Sequence, residues 1–415
     1  ILSNLREQWV ITVALAPLTL LLFGQVSLVG LVANALAIPW VTLVVTPLAM
    51  LGALVPTVWD GAVVSVVWLM AWLQWLAALP WAALTMAVPP LWAGAAGVLG
   101  AALLVAPLPW SLRGMGVPLL LPLLVWRPDA PPAGEFELLA LDIGQGNAVL
   151  VRTASHALLY DAGPRYSLES DAGHRVVVPL LKALDIRLDR VVLSHRDTDH
   201  VGGAAAVLAM QPQANLLSSI EADHTLQALR PAQRCTAGQR WEWDGVQFEV
   251  LHPQVQDYAA SLKSNAMSCV LRISNARQSA LLVGDIEQPQ EMALLERARI
   301  AAGPPQGDTA PPGDSEPHAV GSVGATVLLV PHHGSKTSSS AAFLDAVQPA
   351  IALVQSGYRN RFGHPVAPVM ERYHERNIVV HDSPHCGAMT WRSELPAAAT
   401  CTRMERVRYW SHHVP

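Results

Sequence analysis

Charge is what the first part of this 415-residue chain has least of: between Glu7 and Arg113 the single charged side chain is Asp60. That scarcity excludes a water-facing domain there, because soluble domains carry about a quarter charged residues. The whole chain is 52% hydrophobic and 14% charged, and charges recur regularly only from Arg127 onward. The sequence therefore reads as a membrane segment followed by a water-soluble domain, and its length argues for more than one core.

A basic excess is also missing. The formal net charge is −5, and Arg6, Arg113, Arg127, Glu7 and Asp60 are the charges before residue 128. The soluble part keeps 27 basic residues less those three, against 32 acids less those two, a formal −6. A protein that grips a polyanion by counterion release shows a basic face, so this balance argues against tight nucleic-acid binding by charge alone. Cations held by acidic side chains would offset part of it. Cysteine is scarce too: Cys235, Cys269, Cys386 and Cys401 form no C-x-x-C pair and no scaffold spacing. They are expected to be ordinary semi-buried thiols and say nothing of the redox compartment. The chain opens at Ile1, close to hydrophobic sequence, and is read as a piece of a longer protein without a legible signal peptide.

Apolar stretches near 9–23, 38–57, 62–79, 91–107 and 115–126 are candidate spans, four or five in number, since a crossing takes about 20 apolar residues. The segment 24–37, mixing Gln25, Ser27 and Asn34 with leucine and valine, suits an interface or a cavity wall. Trp9, Trp40, Trp59, Trp81, Trp110 and Trp126 fall near span ends, as interfacial anchors do. Gly94, Gly97 and Gly100 with Ala93 and Ala96 allow close helix packing. Asp60 reads as an interfacial residue at a span start, with a pore or proton role as the alternative.

The linker Pro128 to Gly134 separates 1–127 from a domain over 135–415. Strands are predicted in FELLALDI, AVLVRT, HALLYDAG, RVVLSH, WEWDGVQFEVLHP, SCVLRIS, SALLVGD, TVLLVPHHG, AIALVQS and NIVVHD. Helices are predicted in VVVPLLKALDI, EQPQEMALLERARIA, around 339–347 and near 366–376. The stretch 303–324 is low-complexity and reads as a flexible insertion. Strands alternating with helices imply sheets covered by helices.

One segment carries the chemistry. His195, Asp197, Asp199 and His200 crowd six residues directly after the buried strand RVVLSH. Imidazole suits zinc or manganese and carboxylate suits harder cations, so the mixture fits a divalent metal centre. Further metal-binding side chains stand at other strand ends: Asp161 in LLYDAG, Asp285 closing LLVGD, and His332 and His333 after LLVP. Several such ends point to one convergent site. His156, His174, His224 and His252 read as surface or packing residues, and His381, His385, His412 and His413 show no ligand spacing.

The ordered series LDIGQG, LYDAG, SHRDTDHVGG, LLVGD and VPHHGS resembles the metallo-β-lactamase superfamily. With FGQVSLVGLVANALAIPW and VTLVVTPLAM in front, it resembles more narrowly the ComEC family of competence DNA-uptake proteins. The resemblance covers nearly the whole chain. It implies a multi-pass α-helical membrane segment followed by an α/β metallo-β-lactamase fold, an αββα sandwich. It further implies two divalent ions, Mn²⁺ or Zn²⁺. His195 and Asp197 would hold one, Asp199 and His200 the second. Asp285 would bridge them and the His-His-Gly element would add a ligand, His333 in preference to His332. Catalysis would rest on Asp199, Asp285 and His195. The family pattern H-x-H-x-D-H has Asp197 at its second histidine here, and Asn265 stands where a further histidine is often found.

Asp142, Gln145 and Asp161 are expected beside the site as orienting residues, and Asn265 and Ser268 as shapers of the pocket. Arg359, Arg361, His364 and Lys336 are candidates for holding phosphate, with Tyr358 and Phe362 for stacking on bases. Two metals about 3.5–4 Å apart favour in-line phosphoryl displacement. The leading expectation is a two-metal phosphodiesterase or nuclease of DNA uptake, its membrane part a channel for single-stranded DNA. Single-stranded or duplex DNA, the lipid bilayer and other uptake components are its partners, and its oligomeric state is open. The resemblance places it in the inner membrane with the hydrolase domain on the periplasmic side. Alternatives are a hydrolase of another phosphodiester or a lactone, and a non-catalytic DNA-guiding module.

Overall fold

The computed structural model describes residues 2–79, 81–260, 262–302, 321–405, 407 and 414. Most of the insertion expected over 303–324, and His412 and His413, lie outside the described residues. The chain divides into two compact units, Ile1–Pro128 with Leu181–Ile186, and Asp129–Leu180 with Arg187–Pro415.

The first unit is helical. Arg6–Phe23, Gly30–Gly52 and Val58–Ala77 are long and apolar enough to cross a membrane, and Leu91–Val105 and Trp110–Val125 are shorter apolar helices. Its large apolar side chains face outward: Leu43, Trp68 and Leu91 are 72%, 71% and 81% exposed. Such a surface suits lipid, because each helix satisfies its own backbone and needs no polar solvent. The segment 24–37 is the one expected at an interface or a cavity wall. It forms strand β1 (Gln25–Ser27), which pairs with β2 (Ala83–Thr85), and then enters a helix already at Gly30. Gln25, Ser27 and Asn34 do line a cavity of about 340 Å³. The small-residue face of Leu91–Val105 packs as expected: a Cβ on Gly100 would lie 2.6 Å from the Gly116 carbonyl, and one on Gly94 2.7 Å from Leu21. Asp60 is exposed in the first turn of Val58–Ala77.

The second unit is strand-rich. Its strands are β3 (Glu137–Ala140), β4 (Val149–Arg152), β5 (Ala157–Tyr160), β6 (Arg165–Ser167), β7 (Ser170–Asp171), β8 (Arg190–Leu193), β9 (Asn215–Ser218) and β10 (Ala232–Arg234). There follow β11 (Arg240–Trp243), β12 (Val246–His252), β13 (Val270–Ser274), β14 (Ser279–Leu282) and β15 (Val327–Leu329). The last are β16 (Ile351–Val354), β17 (Val379–Asp382), β18 (Met389–Arg392) and β19 (Thr400–Cys401). One sheet runs β10-β9-β8-β5-β4-β3-β18-β19 and the other β11-β12-β13-β14-β15-β16-β17, with β6 and β7 a separate hairpin.

Phe136, Leu138, Tyr160, Phe248, Leu271, Leu282 and Trp391 from both sheets share one buried core. A second core, including Leu281, Leu294, Leu328, Phe343 and Tyr373, joins the seven-stranded sheet to the helices Gln288–Ala302, Ala341–Val347 and Ala367–His374. Strands buried on both faces read as unbroken apolar runs, which is why LLVGD and RVVLSH show no alternation. The sheets covered by helices are the expected architecture.

Candidate metal centre

Parallel strands explain where the site lies. β5 and β8 are parallel in one sheet, and β14, β15 and β16 in the other. Asp161 directly follows β5 and His195 follows β8. Asp285, His333 and Gln355 follow β14, β15 and β16. Loops beyond the carboxyl ends of parallel strands are where open α/β sheets gather ligand-binding side chains.

Asp199, His200, Asp285 and His333 bring one ligand atom each within 4.8 Å of one another. His200 Nε2 is 3.2 Å from Asp285 Oδ1, and His333 Nε2 is 3.5 Å from Asp285 Oδ2 and 3.4 Å from Asp199 Oδ2. Beside this cluster His195 Nε2 lies 3.6 Å from Asp197 Oδ2, and the His195 and His200 rings are 4.1 Å apart.

The far side of each imidazole is occupied. His200 Nδ1 meets Asp161 Oδ2 at 2.8 Å, His333 Nδ1 donates to the Gln355 carbonyl at 2.8 Å, and His195 Nδ1 meets Ser194 Oγ at 2.9 Å. In the neutral imidazoles these contacts place the proton on Nδ1 and leave Nε2 a lone pair. All three Nε2 atoms, and Asp285 Oδ1, are buried without a hydrogen-bond partner. Four orphaned acceptors in one buried pocket cost several kcal/mol in a folded protein unless cations satisfy them. The donor set therefore fits divalent ions.

Electrostatics agree. With the imidazoles protonated in place of a bound cation, burial works to raise the Asp199 carboxyl, but the contact with His333 and the charge on His200 outweigh it and hold it at about 2. Asp285 is likewise kept far below the carboxylate range, burial being overcome by the charges of His200 and His333.

His332 and His333 both take left-handed backbone angles, φ 51° and 54°, as does Gly334 at 82°. Bulky residues seldom adopt that conformation, and it recurs at functional sites where the surrounding structure enforces it. The turn sends the two histidines apart: His333 enters the cluster, whereas His332 lies 3.5 Å from Glu287 and 3.8 Å from Asp285.

Residues 141–357 match the metallo-beta-lactamase superfamily. The chain belongs to that superfamily. Residues 1–111 match the competence protein family, so the pairing of segments is the ComEC-type arrangement that the motifs suggested. Over 390 residues the chain is 34% identical to Competence protein ComA of Neisseria gonorrhoeae, covering 93% of this chain and 51% of that protein. It is 29% identical over 413 residues to the uncharacterized protein YcaI of Escherichia coli, covering 94% and 48%. The chain thus spans about half the length of these relatives. Among solved structures, the Bacillus subtilis metallo-beta-lactamase fold protein YhfI matches 62% of this chain and all of its own, at 13% identity and a TM-score of 0.39.

The other expected residues of the metallo-beta-lactamase domain divide. Asp161 is fully buried and also accepts from the Ser194 amide and hydroxyl. Ser268 Oγ accepts from the Asp285 amide and sits 3.4 Å from His195 Nδ1. Asn265 Nδ2 faces His332 Nε2 at 3.4 Å. Gln145 accepts from the Gly357 amide. Asp142 instead pairs with Arg403 at 2.5 Å. His364 is half-buried with its ring 5.7 Å from His332, and burial together with the His332 and His333 charges lowers its pKa. Arg359 lies over Tyr358 and Arg361 over Phe362. Lys336 is exposed.

Two expectations need correction. The cysteines are not free thiols: Cys235 pairs with Cys269 and Cys386 with Cys401 as disulfides. His381 belongs to a cluster with the second pair. Sequence reasoning also missed Gln355, whose side chain donates to the Leu141 and Ala148 carbonyls and accepts from the Ala148 amide. A glutamine just after a strand gives no signal of such a clamp.

Proposed function

We propose that this chain serves DNA uptake and that its metallo-beta-lactamase domain hydrolyses DNA phosphodiesters. The four orphaned acceptors of His195, His200, Asp285 and His333 support the metal-dependent half. The likeness to competence proteins supports the DNA half. In this reading Asp199, His200, Asp285 and His333 hold one ion. His195 and Asp197, with Asp285 shared, hold the other, either Mn²⁺ or Zn²⁺. Cations bound there supply Lewis-acid stabilisation of phosphoryl oxygens and a more acidic water.

The protein's own contribution is orientation. Asp161, Ser194 and the Gln355 carbonyl lock three imidazoles, so the ligand atoms need no reorganisation on binding. The loop 357–364 is fixed by Asn360, which donates to the Gly357 and His364 carbonyls and accepts from the Phe362 and His364 amides. It offers Arg359 and Arg361 to phosphates and Tyr358 and Phe362 to bases.

The apolar helices would form part of a channel for single-stranded DNA in the inner membrane. The two disulfides favour an oxidising compartment for the domain, hence its periplasmic side. A substrate panel tests the reading. The full chain in detergent should turn over single- or double-stranded DNA and leave lactones untouched; turnover of lactones alone would replace it with the other hydrolase reading.

A further inference from the structure

A second cluster lies away from the metallo-beta-lactamase site. His381 is on β17, the edge of the seven-stranded sheet, and Cys401 is on β19, the edge of the eight-stranded sheet. Cys386 ends the short helix Ser383–Cys386 that follows β17. Their ligand atoms converge: His381 Nδ1 is 3.6 Å from Cys386 Sγ and 3.7 Å from Cys401 Sγ. Cys386 and Cys401 are 2% and 5% exposed, while His381 is half-buried and gives access from solvent.

We propose that His381, Cys386 and Cys401 form a soft-metal site that opens when the two cysteines are reduced and closes as their disulfide. The sulfur–nitrogen distances already match a ligand set, and reduction frees the two bonded sulfurs to part to the roughly 3.8 Å that a shared metal requires. Bonds of about 2.3 Å to sulfur and about 2.0–2.1 Å to nitrogen give a tetrahedron with sulfur–nitrogen edges of about 3.6 Å. The neighbouring Asp382 is taken up by His385, at 2.7 and 2.8 Å, which leaves the fourth position to water. Two thiolates and an imidazole select zinc or cuprous copper over the harder ions suited to the carboxylate-rich site.

The exchange balances. An external dithiol gives two electrons and two protons to the Cys386–Cys401 bond and is itself oxidised to a disulfide. The two thiols then release their protons as zinc or cuprous copper binds. Either state joins the edges of both sheets. Arg403, two residues beyond Cys401, pairs with Asp142 in the loop between β3 and β4 that also carries Gly146.

Cobalt(II) is the probe, because only thiolate ligation gives a near-ultraviolet sulfur-to-cobalt charge-transfer band and the histidine–carboxylate site has no sulfur. The full chain in detergent is reduced with a phosphine, freed of metal and titrated with Co²⁺. The band is expected in the reduced chain, absent in the oxidised chain, absent in C386S and C401S, and retained in a C235S/C269S double variant. His381→Ala keeps both thiols and should weaken Co²⁺ binding by about tenfold or more, which covers the case in which the cysteine variants misfold. No band in the reduced chain overturns the proposal. So does a band that depends on Cys235 and Cys269, or an affinity that His381→Ala leaves unchanged.

Discussion

His200 and Asp285 face each other at 3.2 Å, imidazole Nε2 to carboxylate Oδ1, both buried and neither hydrogen-bonded. With Nδ1 engaged by Asp161, Nε2 is an acceptor, and so is the carboxylate. Two acceptors at this distance need a positive charge between them. Without a metal that charge is a proton on Nε2: burial lowers the His200 pKa, yet the charges of Asp285 and Asp161 outweigh it and raise the group. The pocket is built to hold positive charge.

Asp161→Asn tests how much of that depends on the residue behind the ligand. Asp161 has φ 59°, which asparagine tolerates, so the backbone should survive. The amide cannot accept from both Ser194 and His200. Metal affinity should fall about 10- to 100-fold, as measured by titration with a competing chelator. Unchanged affinity would remove Asp161 from the site.

Gly146→Ala tests the loop that backs Asp199. Gly146 has φ 131°, and a Cβ there would stand 2.1 Å from the Asp199 carbonyl oxygen. The loop must move, with an expected loss of more than about 2 kcal/mol in stability and of metal binding. Thermal unfolding and metal content check both.

Asp244 gives the domain an acid-sensitive clasp. Against the cost of burial, hydrogen bonds from Thr153, Ser155 and His156 hold its carboxyl at about 2. A depressed folded-state pKa stabilises above the unfolded value, about 3.9, and that contribution is lost as pH falls toward 2. Asp244→Asn should lower stability near neutral pH by on the order of 1 kcal/mol, solvent screening included. It should also flatten the dependence between about pH 4 and pH 2. Denaturant unfolding across that window is the check.

The Cys235–Cys269 bridge closes a loop of 34 residues. By loop-closure entropy it contributes roughly 4 kcal/mol. Replacing both cysteines by alanine should lower the urea midpoint accordingly, whereas a midpoint unchanged in wild type by reductant would show that the bridge does not form.

Much of this was legible in the sequence. His195, Asp197, Asp199 and His200 share one turn after a buried strand, so local pattern and site coincide. Asp285 and His333 also announce themselves as polar residues ending apolar runs. Ser194, Gln355 and Arg403 do not, because their roles depend on partners far away in the chain. Cysteine pairing was hidden for the same reason: Cys235 follows β10 and Cys269 precedes β13, on different sheets. β18 and β19 are too short to show periodicity, yet β18 pairs with β3 and extends the first sheet.

The most direct test is cleavage of DNA by the full chain in detergent, stripped of metal and then given Mn²⁺ or Zn²⁺. Cutting should be absent without metal, return with one of the ions, and be abolished by Asp285→Ala while the fold persists. A fully metallated wild-type chain that leaves single- and double-stranded DNA intact would contradict the account.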